Sequence, residues 1–356
     1  MEIYLYNYLI MPIYAKILNR RSFCIIASLQ MFLILAFRSH DVGVDLTVYS
    51  QAFEYISSLS FFEMIMRIRI IHDAILPYPF SMEGGWMILN WTIAFLGLGF
   101  HSLLVVCAFI NMSVCGLYIY KYSNEPWLSF CIICSFGVYT YMFGILRQSL
   151  ALSIIVYAID CYASKSEKKA WGWIFIAFTI HRTALLAIVL MLIYRTVDAS
   201  KAKYKAVLIR WIAFAIASPI IYQATKIFFR LFGKGYVGAG FRWNNLMTLL
   251  LFVCIATMML FDFNKIKTRM QVFFLWCMWA AVFWETIGLY NDNLARSVQY
   301  FTYFSAFAIP LIVCSYKNKK VIFCGKGVVY TTLFLFLLYT LKGSAIVPYK
   351  MYLNWG

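Results

Sequence analysis

Four short groups of polar residues interrupt the apolar segments of this sequence, at residues 37–53, 81–91, 144–154 and 178–186. Three of the groups carry an arginine, whose planar guanidinium binds phosphate and carboxylate groups through paired hydrogen bonds. Carboxylates and histidines lie in the same groups, and these side chains transfer protons in general acid–base catalysis. The combination is typical of a site that binds an anion and moves a proton.

The first group concentrates charge around a glycine. Arg38, His40, Asp41 and Asp45 surround Gly43, directly after an apolar segment. A single arginine at a helix end often extends toward lipid headgroups. The density of charged residues favours function over that simpler interpretation, and Gly43 suits a backbone turn.

The second and third groups place charges where apolar helices begin. Glu83 precedes two glycines. It is either an acid that the dipole of the following helix favours, or an acid at the entrance of a re-entrant helix that lines a cavity. Both interpretations stay open. Arg147 and Gln148 begin a long apolar helix. A cation there opposes the dipole, so the sequence predicts a compensating partner, such as a bound anion that also meets free N–H groups.

The fourth group lies inside a predicted membrane segment, where His181 and Arg182 are adjacent. A lone histidine is more often structural, but paired ionisable residues at membrane depth usually mark a site. Two further arginines are candidates for the same site. Arg242 lies in a basic loop, residues 225–245, that is either a mobile flap or an interfacial loop with aromatic anchors. Arg296 begins another apolar segment.

The composition shows what kind of scaffold must position these residues. Of the 356 residues, 63% are apolar and 13% are charged, and the mean hydropathy is +0.78. Soluble domains are about 45–50% apolar and about 25% charged. A disordered chain, a coiled coil and a water-soluble enzyme are therefore excluded, and the sequence predicts an all-α polytopic integral membrane protein.

Apolar segments of about 20 residues predict about ten full transmembrane helices. Residues 86–99 are too short and predict a re-entrant segment, whereas residues 170–195 predict a hairpin of two half-helices around His181. We expect one membrane domain over 1–356, with larger outward-facing loops at 38–85 and 225–245. The predicted full spans are 2–16, 22–37, 101–120, 127–143, 147–163, 206–224, 246–261, 271–289, 296–315 and 327–342.

The net charge of +17 suggests nucleic acid or anionic lipid as a binding partner. Lysine-rich loops fall on one predicted face, which the positive-inside rule makes cytoplasmic, so nucleic acid is not needed to explain them. The opposite face is richer in arginine, which predicts an outward-facing anion site. The four histidines show no metal-ligand spacing and no nucleotide-binding motif is present, so we expect neither metal nor cofactor.

The four groups together resemble the EpsG family of membrane proteins. Residues 37–53 resemble its FR…VGTDT…Y…F signature, EGGWMILN its EPGY…LN element, RQSLA its RQ…A helix and HRTALL its H.SA element. The resemblance covers roughly residues 30–310. Val44 and Leu46 replace threonines of the signature and Gly84 replaces a proline, while the charged positions are intact.

The resemblance implies a Wzy-type polysaccharide polymerase, a membrane glycosyltransferase of GT-C-like architecture. Such an enzyme joins oligosaccharide repeat units, carried on undecaprenyl pyrophosphate, into O-antigen or exopolysaccharide. It implies a multi-pass protein of the bacterial plasma (inner) membrane whose active site faces the periplasm or exterior. A chain-length regulator and a flippase are the protein partners that it implies.

In that reaction a sugar hydroxyl attacks an anomeric carbon while pyrophosphate leaves, so cations must stabilise the leaving group. We predict a metal-independent, inverting displacement. Candidate bases are Asp45, Asp41 and His181. Residues predicted to bind pyrophosphate or sugar are Arg38, Glu83, Arg147, Gln148, Arg182, Arg242 and Arg296.

Two alternatives from other classes stay open. A flippase or transporter of lipid-linked glycan also needs a cationic cavity, but it is expected to show repeated halves, and no repeat is evident in the sequence. A membrane acyltransferase that modifies the glycan would also use a histidine.

Overall fold

The computed structural model describes residues 1–70, 73–74, 82–197, 269–289 and 292–352, with isolated positions between 220 and 268. These residues divide into two compact units, Met1–Val189 with Val329–Gly356, and Leu190–Val328. The predicted loop 225–245 with Arg242 lies outside the described residues. So do nearly all of the predicted spans 206–224 and 246–261.

Helices α1 to α11 follow one another through the first unit and into the second. Side-chain caps begin some of them: Asn19 accepts a hydrogen bond from the Ser22 N–H (2.9 Å) at α2, and Ser60 and Glu63 form a capping box at α4. The helices are α1 Glu2–Ile17, α2 Arg20–Ala36, α3 Leu46–Ser57, α4 Phe61–Arg67, α5 Gly84–Phe95, α6 Phe100–Tyr122, α7 Pro126–Ser135, α8 Val138–Tyr141, α9 Leu146–Ala163, α10 Glu167–Ile180 and α11 Leu186–Thr196.

A small antiparallel ribbon follows α4, where β1 Ile68–Ile70 pairs with β2 Asp73–Ala74. Ile68 faces Ala74 and Ile70 faces Asp73 across the pair. The remaining helices are α12 Arg269–Gly288, α13 Asp292–Ser297, α14 Gln299–Thr302, α15 Ser305–Ser315 and α16 Lys319–Leu341.

Several predicted segments are interrupted. The chain breaks at His181, as the sequence predicts, and a single 3₁₀ turn (Arg182–Leu185) precedes α11. The predicted span 296–315 is bent by 49° between α14 and α15. There the Ser305 hydroxyl donates to the Thr302 carbonyl (2.5 Å), and such bonds to the preceding turn bend helices.

The membrane class is confirmed by the apolar helices, whereas the count of about ten spans stays a prediction. Among the described residues, α6 and α16 are long and apolar enough to cross a bilayer, and the bent pair around Thr302 adds a third candidate. Helix α5 has 12 residues, about 18 Å, which is shorter than the roughly 30 Å hydrocarbon core. Its length fits the predicted re-entrant segment.

The last described residues fold back onto the connection between α2 and α3. The Ser39 N–H donates to the Lys350 carbonyl (2.8 Å), and the Tyr352 N–H donates to the Phe37 carbonyl (2.8 Å). The Gly43 N–H donates to the Ala345 carbonyl (3.2 Å). This C-terminal segment therefore holds residues 37–43 in place as a layer of turns that has one bridge, between Arg38 and Met351.

Two glycines let that layer contact the start of α9. Gly43 has φ +135°, and a Cβ there would overlap the Phe143 carbonyl group, whose carbon lies 2.8 Å away. A Cβ on Gly144 would in turn overlap the backbone of Val44, whose nitrogen lies 2.6 Å away. The two backbones touch directly, so neither position tolerates a side chain without displacement.

We expect Gly43→Ala and Gly144→Ala each to lower the apparent melting temperature of the purified protein by about 1–4 °C, because enforced strain costs about 1–3 kcal/mol and the shift per kcal/mol is small in a chain of this length. Thermal unfolding in detergent measures this. Gly172→Ala is the matched control, since a Cβ there meets nothing within 4 Å. An unchanged melting temperature for both test variants would contradict the close contact.

Candidate active site

A glycine contact between α5 and α10 positions Glu83. A Cβ on Gly85 would overlap Thr179, whose carbonyl oxygen lies 2.8 Å away. The start of α5 can therefore lie directly against the end of α10. Glu83, at the N-cap of α5, is thereby placed beside the break that follows α10, and its side chain is 1% exposed.

The buried Glu83 carboxylate joins three of the four sequence groups. Arg147 Nη1 lies 2.7 Å from Oε2, and His181 Nδ1 lies 3.0 Å from Oε1. The backbone N–H of Arg182 donates to Oε1 (3.1 Å), and the Arg182 Nε lies 3.6 Å from the same oxygen. We call these four residues, Glu83, Arg147, His181 and Arg182, the Glu83 cluster.

The cluster keeps Glu83 ionised. Burial alone would raise the pKa of Glu83, but the hydrogen bond with His181, the electrostatic interactions with Arg147 and His181 and the hydrogen bond from the Arg182 N–H outweigh it and lower the pKa to about 2. An ionised carboxylate only accepts hydrogen bonds, so His181 Nδ1 must carry the shared hydrogen. In the neutral imidazole, Nε2 is then left as an acceptor.

Arg147 has the compensating partner that its place near the start of α9 requires. The partner is the protein's own Glu83, where the sequence suggested a bound anion. Arg147 Nε also donates to the Tyr49 hydroxyl (3.3 Å), and its guanidinium carbon lies 5.6 Å from the centre of the Tyr49 ring. Tyr49 brings the first sequence group, through α3, to the edge of the cluster.

Exposure increases across the cluster from the carboxylate outward. The side chains of His181 and Arg147 are 19% and 21% exposed, and that of Arg182 is 56% exposed. The two arginines leave one positive charge in excess of Glu83. The cluster therefore offers a buried anion at its base and an accessible cation at its rim.

Arg38 is fully buried and bonds to backbone carbonyls. Its Nε donates to the Phe143 carbonyl (3.2 Å) and its Nη2 to the Met142 carbonyl (3.4 Å), while Nη1 donates to the Leu35 carbonyl. These bonds tie the end of α2 to the connection that leads into α9. Arg38 thus fixes the backbone that precedes Arg147.

The remaining residues of the first group lie in different surroundings. Asp41 is exposed and pairs with Lys350 (2.5 Å), and hydrogen bonds from Lys350 and Ser39 hold the pKa of Asp41 below its usual value. Asp45 is exposed in a left-handed conformation (φ 66°) directly before α3. His40 is half-buried and stacks on Tyr352, with ring centres 4.9 Å apart.

Other predicted residues lie on α9 and in the second unit. Gln148 is buried on α9, next to Arg147. Arg296 is partly buried on α13, which packs on α12: Trp284 Nε1 donates to the Ser297 hydroxyl (2.7 Å). Among the described residues, the buried Glu285 of α12 has no hydrogen-bond partner for its Oε2.

Three contributors, Tyr49, Thr179 and Gly85, were not among the residues that the sequence predicted for the site. Tyr49 corresponds to the tyrosine of the signature, so the resemblance contained the signal for it. Thr179 and Gly85 meet only because α5 and α10 touch, and no local pattern indicates that contact.

Comparison with known proteins gives one family match. The model of the EpsG family matches residues 21–351, which is nearly the whole chain and includes every member of the Glu83 cluster. No curated protein matches the chain, and no solved structure does.

The lowered pKa of Glu83 predicts a pH dependence of stability. A carboxyl whose pKa falls from 4.5 to about 2 on folding stabilises the folded state above pH 4.5 and loses that effect as the pH falls toward 2. Between these values, we expect the melting temperature of wild type to fall more steeply than that of Glu83→Gln.

Thermal unfolding in detergent from pH 6 down to about pH 3 measures the two slopes. Glu54→Gln, at an exposed position on α3, is the matched control and should keep the wild-type slope. Equal slopes for wild type and Glu83→Gln would show that the Glu83 cluster does not stabilise the ionised carboxylate.

Proposed function

The chain belongs to the EpsG family, and on that premise we propose that it polymerises lipid-linked oligosaccharide repeat units into exopolysaccharide or O-antigen. The observation that carries the proposal is the Glu83 cluster, in which an accessible cation and an oriented imidazole share one buried carboxylate. We place the reaction at the outer face of the bacterial plasma membrane, with undecaprenyl pyrophosphate as the carrier. A flippase would supply the units, and a chain-length regulator is the expected partner.

The cations of the cluster are assigned to the leaving group. When an acceptor hydroxyl attacks the anomeric carbon, the bond from that carbon to the pyrophosphate oxygen breaks and negative charge grows on the pyrophosphate. Arg182 is the most exposed cation of the cluster and is assigned to bind this charge. Arg147, held by Glu83 and Tyr49, supplies a second fixed positive charge nearby.

His181 is assigned as the general base. Glu83 holds the Nδ1 hydrogen, so Nε2 accepts the proton of the attacking hydroxyl as the new glycosidic bond forms. The Glu83 carboxylate then stabilises the imidazolium, as in other carboxylate–histidine pairs. The step is a single inverting displacement, and the guanidinium groups take the place that a metal ion has in other transferases.

The other candidates take supporting roles in this proposal. Arg38 positions the backbone before Arg147, because its donors are engaged by carbonyls. Asp41 and Asp45 remain alternative bases, although Lys350 already holds Asp41. Gln148, Arg242 and Arg296 are proposed to bind sugar or pyrophosphate.

A deletion strain tests the proposal. We expect loss of this chain to leave a single repeat unit on its carrier or acceptor, seen as collapse of the glycan ladder on a gel. Arg182→Ala should fail to restore the ladder at normal membrane abundance, because the leaving group loses its cation. Lys168→Ala, at an exposed position near the start of α10, is the matched control and should restore it.

A full ladder in the deletion strain with altered acylation would favour a modifying acyltransferase instead. Loss of even the single repeat unit would favour export by a flippase. Either result would overturn the polymerase assignment.

A polymerisation assay with purified protein tests the pairing of Glu83 with His181. We expect His181→Ala to lower kcat by about 10²–10⁴-fold, the usual effect of losing a general base. Glu83→Gln should lower kcat with little change in KM, and Glu83→Asp should recover part of the rate. Because the two residues act as a unit, the double variant should be no slower than His181→Ala.

Asp41→Asn serves as the comparison for the alternative base. A larger loss for Asp41→Asn than for His181→Ala would move the assignment to Asp41. Independent, multiplicative losses at Glu83 and His181 would contradict their action as a unit.

A further inference from the structure

An apolar groove runs between α2 and α6 on the first unit. Its volume is about 620 Å³, within the roughly 300–1,000 Å³ typical of small-molecule sites. Apolar side chains dominate its walls, among them Ile25, Leu29 and Phe32 of α2 and Phe109 and Leu117 of α6.

Close helix packing forms the floor of the groove. A Cβ on Gly116 would overlap the Ser28 side chain, so α2 and α6 touch there as small residues allow in membranes. On either side of this contact, the large side chains that line the groove are separated from one another and remain exposed. Phe109 is 61% exposed and Ile25 is 58% exposed. The groove is therefore open along its side, and its exposed walls are apolar, as a surface that contacts acyl chains would be.

One end of the groove carries an uncommitted cation. Arg21 lines that end and, within the described part of the chain, forms neither a hydrogen bond nor an ion pair. The adjacent Arg20 differs, because it donates to the Tyr120 carbonyl (2.6 Å) and to the Ser123 carbonyl (2.7 Å). Lys121, also nearby, is held by Asp160 at 2.7 Å. Arg21 alone among these cations is available to an outside anion.

The charged end lies opposite the Glu83 cluster. Arg21 is at the start of α2, whereas Arg38, which fixes the approach to Arg147, follows the end of α2. The helix has 17 residues and so is about 25 Å long. The sequence predicts that α2 spans the bilayer, so we place a ligand held at Arg21 in the leaflet opposite the proposed reaction.

From the charge and shape of the groove, we propose that it binds an anionic glycerophospholipid. The acyl chain lies between α2 and α6, and the phosphate binds Arg21. The lipid is a resident of the leaflet at that end, and it is distinct from the polyprenyl carrier, whose pyrophosphate is assigned to the opposite leaflet. Lipid binding at Arg21 does not depend on the proposed polymerase activity, whereas the distinction from the carrier rests on the proposed function.

Photolabelling of the full-length protein in nanodiscs tests the site. The probe is phosphatidylglycerol with a diazirine in its acyl chain, and labelled peptides are mapped by mass spectrometry. Labels should concentrate on residues 21–32 and 109–120, and unlabelled phosphatidylglycerol should compete better than phosphatidylcholine. Arg21→Gln should reduce labelling about fivefold, the effect of one cation near an anionic headgroup.

Two variant pairs separate charge from shape. Lys16→Gln removes a charge outside the groove and should leave labelling unchanged, in contrast to Arg21→Gln. Ser113→Phe fills the groove from an exposed position and should abolish the labelling, whereas Leu9→Phe adds bulk on α1 and should not.

Three outcomes would overturn the proposal. Labels spread evenly over α1 and α10 would indicate bulk lipid contact. If phosphatidylcholine competed as well as phosphatidylglycerol, the negative charge of the headgroup would have no role in binding. Stronger competition by undecaprenyl phosphate than by phosphatidylglycerol would assign the groove to the carrier.

Discussion

A carboxylate buried without donors is among the most expensive groups a protein can hold, and Glu83 escapes that cost only through its neighbours. The neighbours come from two other helices: Arg147 from the first turn of α9, and His181 and Arg182 from the break after α10. The ends of three helices must therefore converge within hydrogen-bond distance of one side chain. A shift of any one of them would remove a donor or a charge partner from the buried carboxylate, so this ion cluster constrains how the three helix ends can be placed.

The sequence predicted the members of this cluster but not their pairing. Arg147, His181 and Arg182 are visible because charge interrupts apolar segments, and the break at His181 follows from the same pattern. Glu83 stayed ambiguous, because an acid at a helix start is favourable with or without a partner. The sequence correctly predicted that Arg147 needs a partner, because a cation near a helix N-terminus opposes the helix dipole. The identity of that partner was not predicted, because Glu83 is 64 residues away along the chain and reaches Arg147 only through the packing of α5 and α9 on α10.

Arg38 shows why density of charge is a weak guide to contact. A guanidinium donates equally well to phosphate and to backbone carbonyls, so sequence alone cannot separate the two uses. In the structure its donors meet carbonyls at the approach to α9. Gly43 and Gly144 complete the same layer by letting two backbones touch, which gives the glycine beside the charges of the first group a geometric reason. The lysine-rich and apolar patterns predicted the membrane class, whereas helix lengths and bends depend on packing that no single segment encodes.

An acid at the base of an anion-binding site has a physical use. Cations alone would bind the pyrophosphate of the bound substrate about as tightly as that of the transition state, and uniform binding of that kind does not accelerate the chemical step. In the proposed reaction Glu83 offsets part of the positive charge and fixes the direction of the remaining donors. Arg182 is left exposed at the rim, where it can bind and release a ligand, while Arg147 and His181 are held by the carboxylate. The same carboxylate also stabilises the imidazolium that forms only as the hydroxyl loses its proton, so its contribution increases from the ground state to the transition state.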